Sequence, residues 1–219
     1  MNVTAQTVFI VDDSRQVRVG LSRLLTAAGY QVREFESAED FLAEQDAEAA
    51  GCLLLDVCMP NLSGLELQRA LTCSPSARPI VFLSGMGDVQ TGVEAMKEGA
   101  VDFLTKPVDG MKLFAAVEQA LRRDQELRLE RSIRNTIQQR LEILTPRELQ
   151  VMGQVIRGRL NKQIAADLGT GEKTVKVHRA RVMSKMMARS VAELVQLAAR
   201  VGVSIEPTPG GSSAPIVWK

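Results

Sequence analysis

In the first half of the chain, apolar residues come in short unbroken runs. Each run is closed by a polar residue and followed by apolar positions at helical spacing. Thr7-Val8-Phe9-Ile10-Val11 is apolar and β-branched without alternation, the pattern of a strand buried on both faces, and Asp12-Asp13-Ser14 ends it. Val17, Leu21, Leu24 and Leu25 then recur at helical intervals up to Gly29, which predicts a helix and its stop. Residues 31–35 alternate as a half-covered strand does, and Ser37 with Asp40 three residues on predicts an N-cap pair opening a second helix. Further strands are predicted over 51–55, 79–83 and 100–104. Helices are predicted over 64–72 and around Val89, Val93 and Met96, the latter ended by Gly99. Strand and helix alternate with short connections, so the expected fold is a doubly wound parallel sheet with helices on both faces.

The pattern then changes. Residues 111–144 contain neither Gly nor Pro, with apolar stripes at Leu113, Val117, Ala120 and Leu121 and at Ile133, Ile137 and Leu141. A largely helical connector is expected, with a break near 122–130 as the alternative. Thr145-Pro146-Arg147-Glu148 has an N-cap Thr, Pro in the first position and Glu in the third, a helix start, and Leu149, Met152, Val155 and Ile156 form its inner stripe. A shorter helix follows over about 161–168, and two more over about 172–187 and 190–200, four in all. The two middle ones, joined by a short turn with glycines, have the form of a helix-turn-helix. Residues 204–219 hold three Pro, two Gly and three Ser, which predicts a disordered tail in which Trp218 has no assignable role. The expected division is a first domain over 1–122, a helical linker over 123–140, an all-α four-helix domain over 141–203 and the tail over 204–219.

Charge sharpens this division. Residues 1–123 carry 11 Lys and Arg against 17 Asp and Glu, whereas residues 141–203 carry 11 against 5. An acidic half followed by a basic half points to a nucleic-acid partner for the second. No run approaches the ~18 apolar residues of a membrane span, and no basic segment followed by an apolar stretch marks an export signal. Cys52, Cys58 and Cys73 are odd in number and lack metal-ligand spacing, as expected for reduced thiols in a cytoplasmic protein. The single histidine, His178, argues against a zinc site or a His-based dyad.

Chemistry in a doubly wound sheet collects at the carboxyl ends of the strands. Asp12, Asp13, Asp56, Ser84 and Lys106 all fall at those ends. Three carboxylates at one sheet edge raise one another's pKa unless a cation is present, and a hard, oxygen-seeking divalent ion, Mg2+, suits so small a set of protein ligands. Asp12 and Asp13 would hold it, and Asp56 would supply both a ligand and a nucleophilic oxygen able to accept a phosphoryl group. Lys106 would offset charge on the phosphoryl oxygens and Ser84 would donate to one of them. Singly, each of these residues is also an ordinary loop or turn residue; their joint placement on four strands is what points to a site. In the second half, Lys173, Lys176, Arg179, Arg181 and Lys185 make the second helix of the helix-turn-helix basic, with Val175, Val182 and Met186 as its inward set. Such a helix enters the major groove of double-stranded DNA.

Val11-Asp12-Asp13-Ser14, Asp56-Val57-Cys58-Met59-Pro60, Ser84-Gly85 and Phe103-Leu104-Thr105-Lys106-Pro107 resemble, in this order, the motifs of the receiver domain of two-component response regulators, over residues 6–122. Thr145-Pro146-Arg147-Glu148, Asn161-Lys162-Gln163-Ile164-Ala165 and Thr174-Val175-Lys176-Val177-His178-Arg179 resemble the LuxR-type DNA-binding domain, over residues 141–202. Together they resemble the NarL/FixJ family, in its FixJ-like branch. The resemblance implies a flavodoxin-like five-stranded receiver with Asp56 as phosphoacceptor, Asp12 and Asp13 as the acidic metal site, Lys106 as the family's lysine, Ser84 as the hydroxyl switch, Phe103 as its aromatic partner and a cis Lys106–Pro107 peptide. It implies base contacts from Lys176, Val177 and Ala180, with Arg179 and Arg181 nearby and Asn161, Lys162, Thr174 and His178 near phosphates. A sensor histidine kinase, promoter DNA, RNA polymerase and a second copy of the chain on phosphorylation are the implied partners.

Two departures stand out: Thr170-Gly171 replaces an apolar residue and a Ser or Thr before the recognition helix, and Met186-Met187-Ala188 replaces a terminal Gly. Two rival readings remain open. One is a Mg2+-dependent phosphatase with an Asp nucleophile, which would need Asp-x-Asp after its first strand and a substrate cap. The other is a ligand-regulated transcription factor independent of phosphorylation.

Overall fold

The computed structural model describes residues 6–44, 46, 49–72, 77–85 and 89–202. The expected tail, Trp218 and Cys73 lie outside the described residues. The chain forms two compact units, Met1–Arg128 and Leu129–Lys219.

In the first unit the strands are β1 (Thr7–Val11), β2 (Gln31–Phe35), β3 (Gly51–Asp56), β4 (Ile80–Ser84) and β5 (Asp102–Thr105), and the helices between them are α1 (Arg15–Ala27), α2 (Ala38–Glu44), α3 (Gly64–Thr72) and α4 (Val89–Lys97). The sheet order is β2-β1-β3-β4-β5 with every pairing parallel, so the expected doubly wound fold is the one observed. Unbroken apolar runs became β1, β3 and β4 because both faces of those strands are covered. Phe9, Val11, Leu53, Leu55 and Phe82 enter one core, with Phe41 and Leu67. Val8, Ile10, Leu54, Val81 and Leu83 enter the other, with Leu21 and Leu25 of α1. Burying each such Leu or Phe stabilises the fold by roughly 1.5–3 kcal/mol.

β5 starts two residues later than the apolar pattern suggests. The Ala100 amide donates to the Ala95 carbonyl and closes α4, so the chain joins the ladder only at Val101, whose amide donates to Ile80. The connector does not break near 122–130. α5 runs unbroken over Gly110–Glu142 and passes from one unit into the other. Leu113, Val117, Ala120 and Leu121 pack in the sheet core, whereas Ile137 and Leu141 pack in the helical core. The charged middle of α5 stays helical because Asp124 is buried, bonded to the Gly51 amide at 2.9 Å and to Arg128 one turn on at 2.8 Å. Gly51 has φ +154°, and a Cβ there would lie 1.8 Å from the Thr7 carbonyl oxygen, so only glycine lets β3 begin against β1.

The second unit continues with α6 (Pro146–Ile156), α7 (Asn161–Asp167), α8 (Glu172–Lys185) and α9 (Val191–Arg200). α6 opens with the expected capping box: Thr145 Oγ1 accepts from the Glu148 amide, and Glu148 accepts from the Thr145 amide. Val151, Val155, Ile164, Val175, Val182, Met186 and Leu194 form the core. Among the described residues no helix is long and apolar enough to cross a membrane.

The departure at the end of α8 has a structural consequence. The Ala188 amide donates to Met183 and the Met187 amide to Ser184, the paired bonds of a Schellman termination. α7 ends in the same way through Gly169, at φ +60°. In α8 the left-handed position falls to Met187, at φ +54° with 67% of its surface exposed. A side chain in this conformation costs roughly 1–2 kcal/mol, and little burial is recovered. Met187→Gly is therefore expected to stabilise the second unit by about 1 kcal/mol, raising its thermal transition in the full chain by roughly 4–8 °C. Differential scanning calorimetry would check this, and an unchanged or lowered transition would contradict it.

Candidate functional site

Two groups of candidate residues are assembled, one in each unit. In the first, β1 and β3 lie side by side at the point where the connections diverge to opposite sides of the sheet, the switch point at which such folds bind ligands. β1 delivers Asp12, fully buried, and the exposed Asp13 follows it. β3 delivers Asp56, which is 5% exposed. One oxygen from each of these three carboxylates lies within 4.8 Å of the others. β5 brings Lys106, whose Nζ is 2.6 Å from Asp12 Oδ2 and 3.0 Å from Asp56 Oδ2.

Burial, joined by the charge of Asp12, raises the Asp56 pKa above the usual carboxylate range against the lowering effect of Lys106 and of the Cys58 amide. Burial alone would lower the Lys106 pKa, but its bonds to Asp12 and Asp56 outweigh that and raise it. An oxygen-only set that holds more negative charge than one ammonium offsets is a donor set suited to a hard divalent cation.

Ser84, 4% exposed, ends β4 beside this group, and its carbonyl accepts from the Lys106 amide at 2.7 Å. The Lys106–Pro107 peptide is cis. Phe103 is half-buried on β5, its ring centre 6.4 Å from that of Phe82. It borders the exposed apolar residues Val89, Val93 and Met96 of α4.

Three contributions at these strand ends were not legible from motifs. Arg18 on α1 reaches back to the carbonyls of Asp12, at 2.7 Å, and Asp13, at 3.1 Å, holding the turn that presents both carboxylates. The Ser14 amide donates to Asp12 Oδ1 at 2.9 Å. Gly64 opens α3 so close to β3 that a Cβ would lie 2.2 Å from the Asp56 carbonyl oxygen, and its amide donates to Val57. Arg18 carries no local signal because its role depends on how α1 returns over the turn. Gly64 could be suspected only as a glycine at the start of a helix.

In the second unit, α7, a turn over 168–171 and α8 form the helix-turn-helix. Val175, Val182 and Met186 face inward as expected. Thr174, Lys176, Val177, Ala180 and Arg181 are exposed on α8, and Lys162 on α7; His178, Arg179 and Asn161 are half-buried. Arg179 Nη1 donates to Asn161 Oδ1 at 3.0 Å, tying the two helices together. Gly171 is the N-cap of α8 and offers no side-chain bond there, a loss of only a few tenths of a kcal/mol relative to Ser.

Lys185 is a correction to the basic stripe read from the sequence. It turns away from that face, and its Nζ lies 2.7 Å from Glu148 Oε2 and 3.0 Å from the Ile143 carbonyl. The pattern missed this because the capping box already accounts for Glu148, whose second bond exists only once α6 packs on α8.

Comparison with known proteins places this geometry. Residues 8–118 match the response regulator receiver domain, and residues 142–198 match the bacterial regulatory proteins of the luxR family. Nodulation protein W of Bradyrhizobium diazoefficiens is 42% identical over 206 residues, covering 94% of this chain and 90% of that protein. Transcriptional regulatory protein FixJ of the same organism is 41% identical over 196 residues, covering 90% and 96%. Among solved structures, response regulator StyR aligns with a TM-score of 0.78 and 46% identity, over 90% of this chain and 99% of that one. The chain belongs to the NarL/FixJ family of response regulators, phosphorylation-dependent transcriptional regulators that join a receiver to a LuxR-type DNA-binding domain.

The Glu148–Lys185 pair makes the stability of the second unit acid-sensitive. The Lys185 bond, then the Thr145 amide, hold the Glu148 carboxyl down at about 2. A carboxylate depressed in the folded state stabilises it above its unfolded pKa of ~4.3, and that contribution is lost as pH falls towards the folded value. The thermal stability of the second unit is expected to fall steadily from about pH 5 to pH 2, the window those values set, and Glu148→Gln should flatten that slope. Equal slopes in both proteins would contradict it.

Proposed function

We propose that Asp56 is the phosphoacceptor and that a sensor histidine kinase supplies its phosphoryl group. The observation that carries this is the clasp of Lys106 on both Asp12 and Asp56 at the ends of adjacent strands. Lys106 favours the ionised form of Asp56, and a carboxylate oxygen of Asp56 then takes the phosphoryl group as an acyl phosphate, the new O–P bond forming as the P–N bond to the kinase histidine breaks and its imidazole leaves. Asp12, Asp13 and Asp56 would hold one Mg2+, which when bound offsets negative charge on the phosphoryl oxygens. Lys106 bonds one of those oxygens, and the Ser84 hydroxyl donates to another. The output is control of transcription, not turnover of a metabolite.

Phosphorylation replaces one carboxylate charge with about −1.5 to −2. Ser84 moves towards the new group, and Phe103 follows into the space it leaves. This reshapes the neighbouring surface of α4 and β5, where Val89, Val93 and Met96 are exposed. Two receivers pair through it, which brings two α8 helices to half-sites about ten base pairs apart. A shift from 1:99 to 99:1 needs about 5.5 kcal/mol of preference for the active state, within the reach of an apolar dimer surface.

On DNA, Lys176, Val177 and Ala180 face base edges, with Arg179 and Arg181 beside them. Asn161, Lys162, Thr174 and His178 lie against phosphates. Bound at a promoter, the dimer acts on RNA polymerase, with activation as the output. The working division is a receiver over 1–122, a linker over 123–140 and a DNA-binding domain over 141–203, in a cytoplasmic protein.

Sedimentation with acetyl phosphate tests the switch. The native chain should dimerise and Asp56→Asn should remain monomeric; undiminished dimerisation of the variant would sink the assignment. In the same preparations, log affinity for promoter DNA should fall with log salt by about 0.9 per neutralised phosphate, and a flat response would remove α8 from the interface.

A further inference from the structure

The second unit carries a cationic turn, between α6 and α7, that the assignments above leave unused. α6 ends with the Gly158 amide donating to Val155 at 3.0 Å and the Arg159 amide to Gln154 at 3.1 Å, Gly158 standing at φ +75°. These are again the paired bonds of a Schellman termination. Leu160 follows in extended backbone as the N-cap of α7, and its amide donates to Gln163 Oε1 at 3.0 Å. The amides of residues 158–160 are thus spent within the turn, which fixes its shape. What it presents outward is side chains: Arg157, Arg159, Leu160 and Lys162 are all exposed.

Nothing in the unit answers their charge. Residues 149–166 contain no Asp or Glu. The side chains of Arg157, Arg159 and Lys162 have no hydrogen-bond or ion-pair partner among the described residues. Other cations of this unit are committed to its own structure, Arg140 to the Met186 carbonyl, Arg147 to the Leu168 carbonyl and Lys185 to Glu148. Leu160, with 67% of its surface exposed, stands between Arg159 and Lys162 in the chain.

Position decides what this turn meets. Asn161, the first residue of α7, accepts the Arg179 bond at 3.0 Å, so the amino end of α7 lies against the middle of α8. On α8, Arg179 is next to Ala180 and one turn from Lys176, both exposed. In a helix-turn-helix the second helix enters the major groove while the first crosses the sugar–phosphate backbone. The turn that leads into α7 is then carried along that backbone. Charged phosphates alternate there with apolar deoxyribose carbons, and Arg159, Leu160 and Lys162 offer the matching alternation.

We propose that Arg157 and Arg159 each bind a DNA phosphate beside the groove that α8 enters. The proposal rests on α8 being the DNA-reading helix, and it adds two contacts to those of Asn161, Lys162, Thr174 and His178. A guanidinium can bond two phosphate oxygens at once through its planar fork. Contacts of this kind set affinity and register and read no base.

Anisotropy titration of the full chain on a short duplex of random sequence, over a range of salt, tests this. Arg157→Gln and Arg159→Gln should each make the log affinity against log salt plot shallower by about 0.9 per bound chain, and the double variant by about 1.8. Arg159→Lys, which keeps the charge, should restore most of the slope. Arg200→Gln, an exposed position at the end of α9, should leave it unchanged. Thermal transitions of all these variants should match the native one, since neither turn arginine is bonded within the unit. A steep native slope that neither turn substitution moves overturns the proposal alone, even if the same variants lose RNA polymerase, which would give the turn to that partner. An equal drop with Arg200→Gln overturns it too, by reducing the effect to net charge. A native slope near zero overturns the reading of α8 and this proposal with it.

Discussion

Asp12 and Asp56 stand at the ends of hydrogen-bonded neighbours β1 and β3, where almost no solvent reaches either carboxylate. Two negative charges so placed repel each other and cannot both be ionised cheaply. Lys106 makes the arrangement tolerable, and it arrives from β5, two strands beyond β3. Everything that positions Lys106 therefore serves the carboxylates: the parallel order of the sheet, the bond from its amide to Ser84, and the packing of Phe103 on Phe82. One ammonium between two carboxylates still leaves charge to be balanced. That remaining negative charge suits the site to a hard divalent cation.

The same device recurs away from the site. Asp124 is buried and answered by the Gly51 amide and Arg128; Glu148 is buried and answered by the Thr145 amide and Lys185. Buried ion pairs add little to net stability, but losing one partner strands a charge. Their value here is placement. Asp124 ties α5 to the first residue of β3, the strand that ends in Asp56, and Glu148 ties α6 to α8. A structure required to move between states gains from such geometric pins, since they set which elements travel together.

The elements of the fold were almost all visible in the pattern, because doubly covered strands leave unbroken apolar runs and helices leave periodic ones. The start of β5 was not, since Ala100 is apolar in either role and its amide was claimed by α4. Whether the connector breaks was equally undecided locally, and the buried Asp124 settled it. Motif positions were visible for Asp12, Asp13, Asp56, Ser84 and Lys106, but their mutual distances were not. Arg18 and Gly64 had no readable function. One acts through a side chain crossing a turn, and the other through the absence of a Cβ.

The sequence by itself determined the order of strands and helices, the acidic and basic halves, the inward face of α8 and the residue types at the strand ends. These depend on neighbours within a turn or a strand. Only the tertiary structure decided that Lys106 spans Asp12 and Asp56, and that Lys185 serves Glu148 while Lys176 and Arg181 stay exposed. Each of those contacts joins residues many positions apart, and local periodicity carries no record of which distant side chain will meet which.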